Sequence, residues 1–201
     1  MGRPQSFDTS AVVRAARAAF WEHGYEDASL PLLEGATGLR RSSLYHAFGS
    51  KRGLFDAAVT SYLDEVVRPR LAPLTVADVP PDAVVDYFVG LRAALAAPGT
   101  VQADSGCLLI NAAGAPIGKD VVVRETVAAY RAELRAAIRA GVVARFPDRD
   151  PAEHDRVADL CTALLVSAFL LTRVDHPQAL ANLDAALDLL AADRAPAPAS
   201  A

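Results

Sequence analysis

Between Gly38 and Gly53 the chain carries four cations, Arg40, Arg41, Lys51 and Arg52, and no acid, although Glu34 and Asp56 flank the stretch. Ser42, Ser43, Tyr45 and His46 interleave with them, so hydroxyl and imidazole donors stand beside fixed positive charge. Such a set suits phosphate oxygens, which want charge, and base edges, which want directed donors. Covalent catalysis has no comparable basis. The sequence lacks a GxSxG elbow, an HExxH pair, a glycine-rich phosphate loop and a clustered acid–base set, so no enzyme activity is expected and no cofactor is implied.

Residues of this kind act only if an element holds them in place. Ser29 is placed to cap a short helix running to about Ala36, Thr37-Gly38 breaks it, and a third helix follows from about Arg40 to Phe48. Helices of seven or eight residues do not hold themselves in water. The stretch from Ala28 to Phe48 is therefore read as a helix-turn-helix clamped by its neighbours, with Leu32, Leu33, Leu39, Leu44 and Phe48 as its core. Before it, Ala11, Val12, Ala15, Ala16, Ala19 and Phe20 share one helical face that ends at Gly24. After it, Ser50 caps a fourth helix with Leu54, Phe55, Ala58, Val59, Tyr62 and Val66 on its apolar side, bounded by Pro69.

Beyond residue 69 the apolar spacing stays helical. A connector from Leu71 to Pro81 leads to helices expected over Asp82–Ala96, Ser105–Ala113, Lys119–Arg145, a segment opened by Asp150-Pro151 with Glu153 that runs to about Val174, and a last one from after Pro177 to near Ala192. No stretch alternates as a half-buried strand does, so the fold class is all-α, with the helix-turn-helix in a small N-terminal part and a larger helical part after it. The expected divisions are 1–49 for the first domain, 50–193 for the linker helix and the larger domain, and 194–201 for a tail of Ala, Pro and Ser.

The 201 residues are 52% apolar and 22% charged, as in a soluble globular protein, and the net charge is −4. Any nucleic-acid surface must be a local patch. The two cysteines, Cys107 and Cys161, stand far apart and outside any metal-binding spacing, which fits a reducing compartment and no metal site. Met1–Phe7 has no apolar signal core, and Leu160–Thr172, the longest uncharged apolar run, is too short to span a bilayer. A cytoplasmic protein with no membrane partner is expected.

The string Ala19-Phe20-x-x-x-Gly24-Tyr25-x-x-Ala28-Ser29-Leu30, then Thr37-Gly38-Leu39, then Ser43-Leu44-Tyr45-x-x-Phe48-Gly49-Ser50-Lys51-x-x-Leu54-Phe55 closely resembles the signature of the TetR (tetracycline repressor) family. The likeness covers roughly residues 7 to 66. It implies a homodimer whose N-terminal helices bind operator DNA, whose fourth helix is the link to a ligand-binding and dimerisation domain, and whose last two long helices form a four-helix interface. Arg40 to Tyr45 would then face the major groove, with Arg41, Ser42 and Ser43 nearest base edges, while Ser29, Tyr45, His46 and Lys51 would hold phosphates. One position departs from the family pattern. A small hydroxyl residue is usual just before the recognition helix, and Arg40, which cannot cap, stands there; either its charge compensates or the helix starts differently.

In the larger domain, Gly106-Cys107-Leu108-Leu109-Ile110-Asn111 looks like a stretch of one subgroup and names no ligand. A small-molecule effector site of aromatic walls with few polar anchors suggests Tyr87, Phe88, Leu91, Cys107, Asn111, Tyr130 and Phe169, each of which ordinary packing also explains. Cys107 is read as a buried small hydrophobe, and His154, between Glu153 and Asp155, as part of a solvated first turn. Leu164, Ala168, Leu171, Leu183, Leu187 and Leu190 are assigned to the dimer interface. The expected function is a repressor released from a palindromic operator when an effector swings the linker helix, Ser50 to about Val66. The rival reading is a helical protein–protein adaptor that uses no DNA.

Overall fold

The computed structural model of the chain describes residues 7–191, and every regular element among them is helical. The tail expected over 194–201 lies outside that range. α1 (Thr9–Asp27) begins on Asp8, whose carboxylate accepts the Ser10 N–H at 2.9 Å, turns at Gly24 and gains one further turn to Asp27. α2 (Leu30–Thr37), α3 (Arg41–Phe48) and α4 (Lys51–Tyr62) follow within a residue or so of their expected starts.

Pro69 does not end the fourth helix. The chain widens into a π-helical turn over Leu63–Val67 and continues as α5 (Arg68–Leu71), with the Arg68 N–H bonded to the Leu63 carbonyl five residues back. A widened turn admits proline, which has no N–H to offer and whose ring crowds the carbonyl four residues before it in an ordinary helix.

Two compact units divide the described chain. The first holds residues up to Pro69 together with 107–124, and the second holds 70–106 with 125–191. The division expected after residue 49 thus falls inside a compact body, because α4 is packed into it. Leu54, Phe55, Ala58, Val59 and Tyr62 of α4 are buried; Phe20 of α1 meets Phe55 edge-on at 5.2 Å, and Trp21 meets Tyr62 at 4.8 Å. Leu33 and Leu44 anchor α2 and α3, whereas Leu32, Leu39 and Phe48 are only half-buried. Each deeply buried Leu or Phe contributes about 1.5–3 kcal/mol, which is what keeps two eight-residue helices folded.

The single helix expected over Ser105–Ala113 is two: α7 (Val101–Ser105) and α8 (Leu108–Gly114). Between them Gly106 takes φ 64° and ψ −116°, a backbone that L side chains avoid, and a Cβ there would lie 2.5 Å from the Phe169 carbonyl oxygen. A 3-10 turn (Pro116–Lys119) then leads into α9 (Val121–Arg145), whose first turn, to Arg124, completes the first unit.

The second unit packs α6 (Ala83–Ala96), the rest of α9, α10 (Pro151–Leu171) and α11 (His176–Ala191) around Phe88, Leu95, Leu134, Ile138, Leu165 and Leu183. Asp150 caps α10 by accepting the Glu153 N–H at 2.9 Å, as the Asp-Pro-x-Glu spacing requires. Arg135 and Arg139 tie α9 to α10 through Asp155 and Asp159, and Arg92 pairs with Asp184 of α11. Among the described residues no single helix is long and apolar enough to cross a membrane.

Candidate nucleic-acid interface

α2 owes its limits to its own sequence. Ser29 is extended and its Oγ accepts the Leu32 N–H at 3.3 Å, Pro31 occupies the first turn, and Gly38 closes the helix in the left-handed conformation at φ 69°. Thr37 serves both sides of that end: its hydroxyl donates to the Leu33 carbonyl at 2.6 Å and accepts the Leu39 N–H at 3.3 Å. The turn between α2 and α3 is therefore fixed by short-range bonds.

α3 starts differently. Arg40 is extended at the cap position and makes no side-chain cap bond, so the departure from the hydroxyl pattern is real. The helix borrows its cap instead: the Arg41 N–H donates to a carboxylate oxygen of Glu34, one α2-length back in the chain. Glu34 is the sole acid between Ala28 and Gly49. Its role was missed in the sequence because capping by a residue seven positions away depends on how α2 and α3 pack, although an uncapped Arg40 was a signal that some acceptor had to be supplied.

Only Leu44 of α3 is buried, which leaves its remaining faces for display. Arg40, Arg41, Ser42 and His46 are exposed, as is Ser29, while Ser43, Tyr45 and Lys51 are half-buried. The Arg41 guanidinium lies 5.2 Å from the Tyr45 ring centroid, one turn along, so these two share the outer face. α4 then opens on Ser50, whose Oγ accepts the Gly53 N–H at 3.0 Å. Gly53 is required there: a Cβ would sit 2.0 Å from the Phe48 carbonyl oxygen, and that close approach is what sets the end of α3 against the start of α4.

The two cations of α4 are not equivalent. Lys51 donates from Nζ to the Glu26 carbonyl at 3.1 Å and lies 4.7 Å from the Tyr25 ring centroid, which leaves further N–H bonds on the same ammonium. Arg52 is held between two carboxylates, Asp56 at 2.8 Å and Asp120 at 2.7 Å. The Arg52 hydrogen bond, helped by the Val123 N–H, draws the Asp120 carboxyl down to about 2.

The eight residues expected at a nucleic-acid surface thus all lie on one contiguous run, α2 start to α4 start, inside the first unit. The seven assigned to an effector site are not gathered in this way. Cys107 and Asn111 fall in the first unit, Tyr87, Phe88, Leu91, Tyr130 and Phe169 in the second. Phe88, Leu91, Cys107, Tyr130 and Phe169 are buried, and Cys107 accepts a hydrogen bond from the Tyr62 hydroxyl at 3.3 Å. A cavity of about 550 Å³ in the second unit is lined by other residues, among them Leu95, Ala103, Asp104, Thr172, Arg173 and His176.

Three of the six residues assigned to the dimer interface are corrected. Ala168, Leu183 and Leu190 have 0% exposure in the single chain, because they fill the seam inside the second unit and leave no surface for another subunit. Leu164, Leu171 and Leu187 keep partial exposure, and Leu160, Leu170 and Val174 are exposed beside them. His154 is also corrected: it is buried rather than solvated, with its Nε2 2.8 Å from the Phe146 carbonyl, and so fastens the loop between α9 and α10. Cys161 is buried as expected, and burial pushes its thiol up to about 12.

A cationic helix on a capped turn, carried by a small helical head at the front of an all-helical chain, defines a helix-turn-helix protein. Residues 12–58 match the bacterial regulatory proteins of the tetR family. The structure is similar to that of the TetR-family transcriptional regulator CifR, solved as a cysteine mutant on 26-base-pair double-strand operator DNA, with a TM-score of 0.75 and 30% identity over 92% of this chain and 98% of that one. A TetR transcriptional regulator from Chloroflexus aurantiacus matches with a TM-score of 0.68 and 31% identity, over 90% of each chain. This chain belongs to the TetR family of transcriptional regulators. Among curated relatives, the HTH-type transcriptional repressor ComR of Escherichia coli is 36% identical over 111 residues, which are 55% of this chain and 51% of ComR. YezE of Bacillus subtilis, an HTH-type transcriptional regulator, is 38% identical over 113 residues, 56% of this chain and 57% of YezE. The matched part spans about half the length of those two relatives.

Proposed function

We propose that this regulator is a cytoplasmic repressor that binds double-stranded operator DNA as a homodimer. The observation that carries the reading is α3 itself. Its one buried residue anchors it, and Arg41, Ser42 and His46 are turned outward beside a helix start whose cap comes from elsewhere. Arg41 pairs in bidentate fashion with guanine, a contact worth about 1–3 kcal/mol of discrimination, and Ser42 and Ser43 reach neighbouring base edges. Ser29, Tyr45, His46 and Lys51 hold the flanking phosphates and set the register, with Arg40 facing the major groove beside Arg41. That CifR, 30% identical, is complexed with double-strand operator DNA supports duplex DNA as the partner.

The second copy docks on the side chains that the first leaves open, Leu164 and Leu171 on α10 with Leu187 on α11, joined by Leu160. A two-fold pair presents its recognition helices about 34–36 Å apart and reads a palindromic operator. A small-molecule effector releases the DNA by favouring a state in which α4 is displaced; coupling of about 1–3 kcal/mol changes affinity roughly 5- to 150-fold.

The test is selection of bound fragments from the source genome with the full chain, followed by gel shift of the recovered duplex over a salt series. A recovered inverted repeat whose affinity falls steeply with salt supports the reading. Recovery of no duplex above background at moderate salt overturns it.

A further inference from the structure

The start of α4 is bound twice to one short turn. The Pro116–Lys119 turn donates the Ile117 N–H to the Glu26 carboxylate at 2.7 Å, and the carbonyl of the same Glu26 takes the Lys51 ammonium at 3.1 Å. One residue further on, Asp120 divides its two oxygens. Its Oδ1 accepts the Val122 and Val123 N–H groups at 2.9 and 3.2 Å and so caps α9, and its Oδ2 takes the Arg52 guanidinium at 2.7 Å. Both cations at the start of α4 are thus fastened to residues 117–120, one through Glu26 and one directly. Arg52 is further engaged by Asp56 at 2.8 Å, so one positive charge faces two negative ones.

We propose that Arg52 is withheld from DNA and acts with Asp120 as a positioning pair, which sets the start of α4 and thereby the place at which Lys51 meets a phosphate. The inference rests on the DNA-binding reading above and refines it: of the two adjacent cations, one contacts the backbone and the other aims it. Two carboxylates already occupy the Arg52 guanidinium, and moving it to a phosphate would strand Asp120 beside a polyanion. Among the described residues Lys51 meets a neutral carbonyl and an aromatic face, and a phosphate oxygen can join them.

The test uses the full chain and a duplex recovered by genomic selection, with fluorescence anisotropy over a salt series. Lys51→Ala is expected to lower the slope of log affinity against log salt by about one. Arg52→Ala and Asp120→Asn are expected to leave the slope unchanged, to weaken binding about three- to tenfold each, and to do no more together than either does alone. Asn at 120 retains an oxygen for the α9 cap, so this variant loses the pair without losing the helix start. A slope lowered by one in Arg52→Ala overturns the inference while leaving the DNA reading intact, as does a double variant weakened by the product of the single losses. If no duplex binds at all, the DNA reading fails and this inference falls with it.

Discussion

The head and the second unit use their polar side chains in opposite ways. In the head, α3 buries one residue, Leu44, in the core and leaves Arg41, Ser42 and His46 exposed, with the Arg41 guanidinium resting over the Tyr45 ring of the same helix. Where α9 and α10 meet in the second unit, the charged and buried groups are already employed. Arg135 and Arg139 are paired with Asp155 and Asp159, whose carboxyls they hold below the usual range, His154 faces the Phe146 carbonyl, and Cys161 is sealed in the core. A polar residue that the fold does not need is available for recognition. One that the fold does need says little about a ligand, whatever its chemical potential.

That contrast can be broken or sharpened by substitution. The largest effect is expected in the second unit, where Leu183→Ala removes a fully buried side chain and lowers stability by about 2–5 kcal/mol in chemical denaturation. Leu164→Ala, on the half-exposed stripe, should leave the unfolding of the dissociated chain nearly unchanged and instead raise the concentration at which the proposed pair dissociates in sedimentation. Equal unfolding losses from both would erase the distinction between seam and surface.

Within the head, Gly53→Ala drives a Cβ against the Phe48 backbone and should cost about 1–3 kcal/mol, with operator affinity falling as α3 is shifted. Glu34→Ala removes the borrowed cap and should cost about 0.5–2 kcal/mol, with faster amide exchange at Arg41 as the local readout. If Arg41 exchange is unaffected, α3 is held by its packing alone.

The smallest effect is in acid. The carboxyl of Asp120 is drawn from 3.8 to about 2 by Arg52, so its contribution is present above the ordinary carboxylate value and is lost as pH falls through the lower one. Asp120→Asn should therefore flatten the stability profile of the chain between about pH 4 and pH 2, measured by denaturant titration at each pH. An unchanged profile would mean that the Arg52 pair does not persist in solution.

The head was legible in the sequence because its signals are short-range. Ser29, Gly38 and Ser50 cap or close helices through neighbours three or four residues away, and the same holds for Asp150 with Pro151 and Glu153. What was misread depends on partners far along the chain. At the Gly106 break a side chain would meet the Phe169 carbonyl, Ala168, Leu183 and Leu190 are buried by the packing of α10 and α11 within the second unit, and His154 meets the Phe146 carbonyl just past α9. Periodicity showed which residues of α10 and α11 are apolar but not which apolar face turns inward, since both helices are apolar over more than one face. The Arg52–Asp120 pair spans the whole of α5 to α8 in sequence and left no local trace.

The most direct test of the account is a methylation footprint at guanine N7, which lies in the major groove, on the selected operator with the wild-type chain and with Arg41→Ala. Two protected clusters are expected, centred about 10 base pairs or a multiple of that apart, with the guanine protections lost in the variant while Lys51→Ala leaves their pattern intact. N7 protection that survives Arg41→Ala unchanged, or an absence of N7 protection on a duplex the protein demonstrably binds, would contradict the claim that α3 reads the major groove through Arg41.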